Sequence, residues 1–273
     1  MYTSKGYQEF ESLSLRKIEK RVLASQPIPF SLRKCFKMMS YILNIDTATD
    51  ICSIAVSCEG KMLSLVEEPN NNHASRITLM IEEALAAAAI NIKDLAAVAM
   101  SNGPGSYTSL RVGTSTAKGI CYALDIPLIA VDTLTALAYS ACKDMDVADA
   151  LYCPMIDARR MEVYMILFGK NKENTEGAPL TIIEALNNVI IDENAFQNYF
   201  DQGKKIVLTG NGAAKCKAVI NSVNILHVDK HCSAAHLIPL STEAFLKKAF
   251  VDVAYHTPRY LKSPNITTPK ART

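Results

Sequence analysis

Apolar residues alternate or run on through Tyr41–Asp46, 51–58 and 61–66, and the break between the last two is the turn Glu59-Gly60. That spacing predicts three short strands joined as an antiparallel meander. The period then lengthens. Residues 73–89 predict a helix, 96–101 a buried strand, Tyr107–Leu124 a second helix, and 127–131 a strand before a helix that Thr133 can cap. Three meandering strands followed by alternating helix and strand make a mixed α/β lobe.

The opening pattern recurs downstream. Residues 152–157 form another apolar strand ending in Ile156-Asp157, as Ile45-Asp46 ended the first, and 162–168 alternate before the turn Gly169-Lys170-Asn171. Two such starts about 110 residues apart predict a duplicated lobe. It continues through a strand at 205–209, the turn Gly210-Asn211-Gly212, a helix, a strand at 225–228 and a long helix over 233–250. The expected organisation is a basic extension over 1–40, a first lobe over 41–140 on which 239–273 pack back, and a second lobe over 141–238.

With 49% apolar residues among 273, the chain can bury a sizeable core. No apolar run approaches the roughly 20 residues of a membrane-spanning helix, and the first forty residues lack a secretory apolar segment, so a soluble, cytoplasmic body is expected. The cysteines (Cys35, Cys52, Cys58, Cys121, Cys142, Cys153, Cys216, Cys232) show no Cys-x-x-Cys spacing and read as reduced core residues. A net charge of +2 is too small for strong nucleic-acid binding by this chain alone; any RNA contact is expected to rely largely on a partner. Residues 1–40 are different: Lys5, Arg16, Lys17, Lys20, Arg21, Arg33, Lys34 and Lys37 outnumber Glu9, Glu11 and Glu19, and Pro27 and Pro29 interrupt any helix. Met38 and Met39 precede the compact fold, which favours a mis-assigned start over a basic arm or an organellar leader.

Candidate chemistry centres on Ser-Asn-Gly-Pro-Gly-Ser-Tyr-Thr-Ser-Leu-Arg-Val-Gly, residues 101–113. Gly103, Pro104 and Gly105 permit a tight reversal, and Ser106 or Thr108 can cap the following helix, leaving N–H groups that can face an anion. No Walker lysine follows and no Gly-x-Ser-x-Gly elbow is present, so a structural turn is the stronger reading. Asp46, with Thr47 and Thr49, ends the first strand without the glycine a phosphate hairpin uses, which favours a turn held by side-chain hydrogen bonds. Asp46, Thr47, Gly103, Gly105, Ser106 and Thr108 are the candidate anion or nucleotide contacts. His227, His231, Cys232 and His236 could ligate a metal only if they shared a helix face; Asp229 and Lys230 instead predict a loop, with Ser233 as the helix cap. No metal site is assigned.

The two long helices of the first lobe are apolar or small nearly all round, unlike a surface helix with one charged face. Ile77, Met80, Ile81, Ala84, Leu85 and Ala88 share one arc of the first. The second carries Gly113, Ala117, Ile120 and Leu124 on one face, Ser115, Gly119 and Tyr122 on another, and only Arg111 and Lys118 as charges. Each is expected to pack on its own sheet and on a partner.

Residues 42–49 (Ile-Leu-Asn-Ile-Asp-Thr-Ala-Thr), His73 with Arg76, 103–113, Val131-Asp132-Thr133-Leu134, 156–164 and Pro258-x-Tyr260-Leu261 resemble, in this order, the TsaB family of bacterial tRNA threonylcarbamoyladenosine biosynthesis subunits, also filed as glycoprotease-like. The resemblance spans residues 41–263. It implies an actin-like ATPase (ribonuclease-H-like) fold of two related lobes, each a mixed sheet flanked by helices, and a non-catalytic scaffold role. The implied partners are the paralogue TsaD, which transfers the threonylcarbamoyl group, and the ATPase TsaE, with tRNA reached through the assembly and an isologous homodimer expected in isolation. No cofactor is expected on this chain, ATP and a metal being expected on partner subunits. TsaD-type members carry His-x-x-x-His on the first helix, whereas here His73 is followed four positions on by Ile77. The family usually has glycine where this chain has Ser109. The family's dimer surface is built from the first two helices, so Ile77, Met80, Ile81, Ala84, Leu85, Ala88, Arg111, Gly113, Ala117, Ile120 and Leu124 are the expected interface. The rival readings are an autonomous ATPase or sugar-kinase relative using Asp46, the Gly103 turn and 210–212, and a metallopeptidase using His227, His231 or His236.

Overall fold

The computed structural model describes residues 39–69, 73–171 and 180–262. The basic extension, up to residue 38, and the end of the tail from residue 263 lie outside the described residues. Strands β1 (Tyr41–Asp46), β2 (Cys52–Cys58) and β3 (Lys61–Glu68) form the meander, and helix α1 (His73–Ala87) follows. Next come β4 (Leu95–Ser101), α2 (Tyr107–Leu124), β5 (Leu128–Val131) and α3 (Thr133–Asp144). The second half runs β6 (Leu151–Asp157), β7 (Glu162–Lys170), β8 (Leu180–Ile190), α4 (Gln197–Phe200), β9 (Ile206–Thr209), α5 (Ala213–Val219), β10 (Ile225–Val228) and α6 (Ala234–Leu246).

Both sheets have five strands, in the orders β3-β2-β1-β4-β5 and β10-β9-β6-β7-β8. Read from its other edge, the second order repeats the first strand for strand. The pairing repeats too: β1 lies antiparallel to β2 and parallel to β4, and β6 lies antiparallel to β7 and parallel to β9. The duplication inferred from two Ile-Asp starts is therefore a repeat of topology.

The helices break the symmetry. α1 and α2 have 15 and 18 residues, while α4 and α5, at the matching places after β8 and β9, have 4 and 7. α3 lies against the second sheet, packing Leu134, Leu137 and Ala141 among Tyr152, Ile166 and Phe168. α6 returns to the first sheet, where Leu237 packs with Ile42, Ala97 and Ile129. Sheet one is thus covered by α1 and α2 on one face and α6 on the other, which is why β1 and β2 are buried almost throughout. A polar bolt holds α6 in place: the Ser241 hydroxyl donates to Asn44 Oδ1 at 2.6 Å, and Asn44 Nδ2 donates to Ser57 Oγ at 3.1 Å. All three side chains are buried, so each bond offsets a desolvation cost of about 1–3 kcal/mol.

Local details differ from the sequence reading in four respects. Asp132, not Thr133, caps α3, its Oδ1 accepting the Thr135 amide at 2.8 Å. α1 stops at Ala87 and α6 at Leu246, a few residues early. The alternation over 162–168 continues through Gly169 and Lys170 as strand. The fourth difference is β8, an edge strand the hydrophobic pattern did not predict, because most of its residues are exposed on both faces.

Candidate partner-binding site

The glycine-rich turn is a joint closed by its own chain. The Gly103 amide donates to Thr133 Oγ1 at 3.1 Å, and the Thr133 amide returns a bond to the Gly103 carbonyl at 3.1 Å. The Arg259 amide donates to Asn102 O at 2.8 Å, and a β-carbon on Gly103 would stand 2.8 Å from the Arg259 carbonyl. A β-carbon on Gly105 would stand 2.3 Å from Ala48 O, the carbonyl that accepts the Ser106 amide at 2.7 Å. Nearly two turns into α2, a β-carbon on Gly113 would stand 2.3 Å from Thr47 Oγ1. The room these glycines provide is filled by backbone and by Thr47, so the turn fixes the start of α2 against the β1–β2 hairpin.

Ser106 is the N-cap, and Ser109 completes it: the Ser109 hydroxyl donates to Ser106 Oγ at 2.9 Å. Ser109 is buried. Asp46 holds the facing hairpin, its Oδ1 accepting the Ala48 amide at 2.9 Å while Ser101 Oγ accepts the Thr47 amide at 3.2 Å. Burial pushes the Asp46 carboxyl up to about 6, against the lowering effect of the Ala48 amide and the Ser101 hydroxyl. Of the six candidate anion contacts, Asp46, Thr47 and Gly103 are buried, Gly105 is half-buried, and Ser106 and Thr108 are exposed. Their hydrogen bonds organise a turn.

The helices display a different set of side chains from the one expected. Ile77, Met80, Ile81, Ala84, Leu85 and Ala117 are buried against β1, β2 and β4 in this chain's own core. Gly113 is buried on Thr47, Ala88, Ile120 and Leu124 are partly buried, and Arg111 is exposed. This corrects the expected interface: the larger apolar arc of each helix faces the sheet, since burying a side chain the size of Met80 contributes about 1.5–3 kcal/mol. The outward faces carry Ala74, Thr78, Leu79, Glu82 and Ala86 on α1, and Thr108, Arg111, Ser115, Gly119 and Tyr122 on α2. Tyr122 is 86% exposed.

Between the helices runs an open groove of about 490 Å³, lined by Ala74, Ile77, Thr78, Tyr107, Thr108, Arg111, Val112, Ser115 and Thr116. Its end is aromatic and cationic. The Arg111 guanidinium stacks 4.6 Å from the Tyr107 ring centre, and the Tyr107 and Tyr260 rings lie 4.6 Å apart. The tail is strapped there by Lys118, whose Nζ donates to the carbonyls of Ala254 at 2.8 Å and His256 at 3.0 Å. The strap has no hydrophobic period; its sequence signal was the Pro258-x-Tyr260-Leu261 motif.

His227, His231 and His236 lie on β10, the following loop and α6 respectively. His231 Nε2 sits 3.4 Å from Glu67, and burial pushes His236 down to about 4. Ser233 caps α6, as its position predicted. Among the described residues no three His, Cys, Asp or Glu side chains come together as metal ligands.

Two lobes with one strand order, each starting with a hairpin whose aspartate faces a glycine turn, define the actin-like ATPase fold. Comparison with known proteins agrees. The family described as "TsaD: tRNA N6-adenosine threonylcarbamoyltransferase" matches residues 67–270. The TsaB tRNA threonylcarbamoyladenosine biosynthesis protein of Escherichia coli K12 is 27% identical over 81% of this chain and 94% of its own length. That of Haemophilus influenzae is 36% identical over 45% of this chain, spanning 51% of its own length, about half. The YeaZ structure from Pseudomonas aeruginosa superposes with a TM-score of 0.66 at 24% identity, over 82% of this chain and 100% of that one, a likeness of fold. The chain belongs to this TsaD-like family, on its TsaB (YeaZ) side.

Proposed function

We propose that this chain is a non-catalytic scaffold subunit of the complex that transfers a threonylcarbamoyl group from threonylcarbamoyl-AMP to the adenosine beside the anticodon of tRNA. Its partners are a TsaD-type transferase, docked on the outward faces of α1 and α2, and the ATPase TsaE. The observation that carries this reading is the pair of long helices with small or apolar outward residues beside an open groove, in the one lobe where both helices are full length. Alanine, glycine, serine and threonine at Ala74, Thr78, Ser115 and Gly119 let a partner helix approach closely, and Leu79 and Tyr122 supply anchors. The filled glycine turn supports a positioning role for 101–113 over a nucleotide-binding one. Without its partner, the same face pairs two copies of this chain.

The test is co-elution of the purified chain with the transferase from the same organism. A stable pair supports the reading. Separate elution, with or without TsaE and nucleotide, rules it out.

A further inference from the structure

The second lobe repeats the turn chemistry of the first, with one difference. In the first, Asp46 accepts the amide two residues on, and the glycine turn rests on the hairpin backbone. In the second, Asp157 Oδ1 accepts the Arg159 amide at 2.6 Å, and Gly210 lies so near β6 that a β-carbon would stand 2.2 Å from Met155 O. Asn211 Oδ1 accepts the Asp157 amide at 3.0 Å, which ties the hairpin to that glycine turn. The first hairpin buries Thr47, Ala48 and Thr49, whereas the second exposes Arg159, Arg160 and Met161.

Arg159 and Arg160 are both left-handed, with φ of 69° and 49°. That conformation favours glycine or asparagine, so two successive arginines there are strained, and such strain clusters where the displayed side chains have a use. Nearby carboxylates are committed elsewhere. Asp157 is 2.7 Å from Lys215 Nζ, which also donates to Glu162 O at 2.9 Å. Glu162 pairs with Lys262 and accepts Asn188 Nδ2 at 3.1 Å, and Asp192 accepts the Asn194 amide at 2.9 Å. Among the described residues neither arginine forms an ion pair. The strand scaffold therefore presents two guanidinium groups without an ion-pair partner among the described residues on an exposed hairpin turn.

We infer that the Arg159–Arg160 turn is a contact for backbone phosphates of RNA. Guanidinium is planar, weakly hydrated and matched to phosphate oxygens. A small nucleotide needs concave walls, but neither arginine lines the α1–α2 groove or the cavity beside Phe196. A long phosphodiester needs only exposed, positioned cations. The choice of RNA rests on the proposed role in tRNA modification; the phosphate chemistry rests on the turn. The turn belongs to the β6–β7 hairpin and contributes no residue to α1 or α2, so tRNA affinity and co-elution with the transferase are read separately.

Binding of an unmodified, in-vitro transcribed tRNA is followed by fluorescence anisotropy across a potassium chloride series, with the full chain alone and with the full chain bound to its transferase. Arg159→Ala/Arg160→Ala should weaken binding roughly tenfold and make the log–log salt dependence shallower by about 2. Arg159→Gly/Arg160→Gly, which suits the backbone, should lose the same amount, and both variants should still co-elute with the transferase. Lys61→Ala/Lys93→Ala removes the same charge from exposed positions of the first lobe and should have little effect. Unchanged tRNA affinity and slope in the arginine variants would overturn the inference. So would an equal loss in the lysine variant, or absence of tRNA binding to both chain and complex.

Discussion

Asp46 is a buried and His236 a half-buried titratable group, and each feels Glu67 and His231. Asp46 is held up at about 6 from an ordinary 3.8, so its contribution to stability is full below about pH 4 and is lost as pH rises through 6. His236 is held down at about 4 from an ordinary 6.5, so its contribution is full above 6.5 and is lost as pH falls toward 4. Each shift corresponds to roughly 3 kcal/mol at most, and between pH 4 and 6.5 the two act in opposite directions. Asp46→Asn should therefore steepen the loss of stability on acidification, and His236→Gln should reduce or reverse it. Urea unfolding at pH 4.5 and 6.5 reads the effect; equal changes in all three proteins would contradict the assignment. Sequence made Asp46 visible as the end of a strand. It left His236 obscure, because the ring's burial depends on α6 returning to the first sheet.

Among the elements, α2 is the one whose seat is most sharply defined. Gly113→Ala puts a carbon 2.3 Å from Thr47 Oγ1 and should cost about 1–3 kcal/mol, and Thr47→Ala should recover much of it in a double-mutant cycle read by thermal melts. The ends of α2 were legible because its hydrophobic period runs cleanly from the Ser106 cap to Leu124. Its orientation was not. A helix that is small or apolar all round gives no charged face to mark the outside, and the larger residues, assigned to the partner, went to the sheet. The consequence is measurable: Ala84→Arg buries a charge at a fully buried position and should unfold the protein, at a cost of several kcal/mol. Leu79→Glu and Tyr122→Glu, on exposed positions, should leave the circular dichroism melt within about 0.5 kcal/mol of the parent. β8 was illegible for the opposite reason, since an edge strand exposed on both faces has no alternation to read.

Over the whole molecule, duplication was the most legible property, because Ile-Asp starts and glycine turns survive in both halves. What sequence could not supply is the way the halves are tied. α3 leaves the first sheet for the second, α6 makes the return crossing, and the strap from Ala254 to Lys262 runs from Lys118 on α2 to Glu162 on β7. The strap's bonds to Lys118 and the packing of α6 on the first sheet join residues more than a hundred positions apart through segments whose local pattern carries no trace of the target. The result is asymmetric: one lobe carries two long helices with a groove between them, and the other exposes Arg159 and Arg160 on a turn. The most direct measurement is light scattering on the size-exclusion eluate of this chain mixed with the TsaD-type transferase of the same organism. A heterodimer for the parent that is lost in Leu79→Glu/Tyr122→Glu, with Arg159→Ala/Arg160→Ala still pairing, is the predicted result. Separate peaks for the parent, or a heterodimer unaffected by charges at Leu79 and Tyr122, would contradict the account.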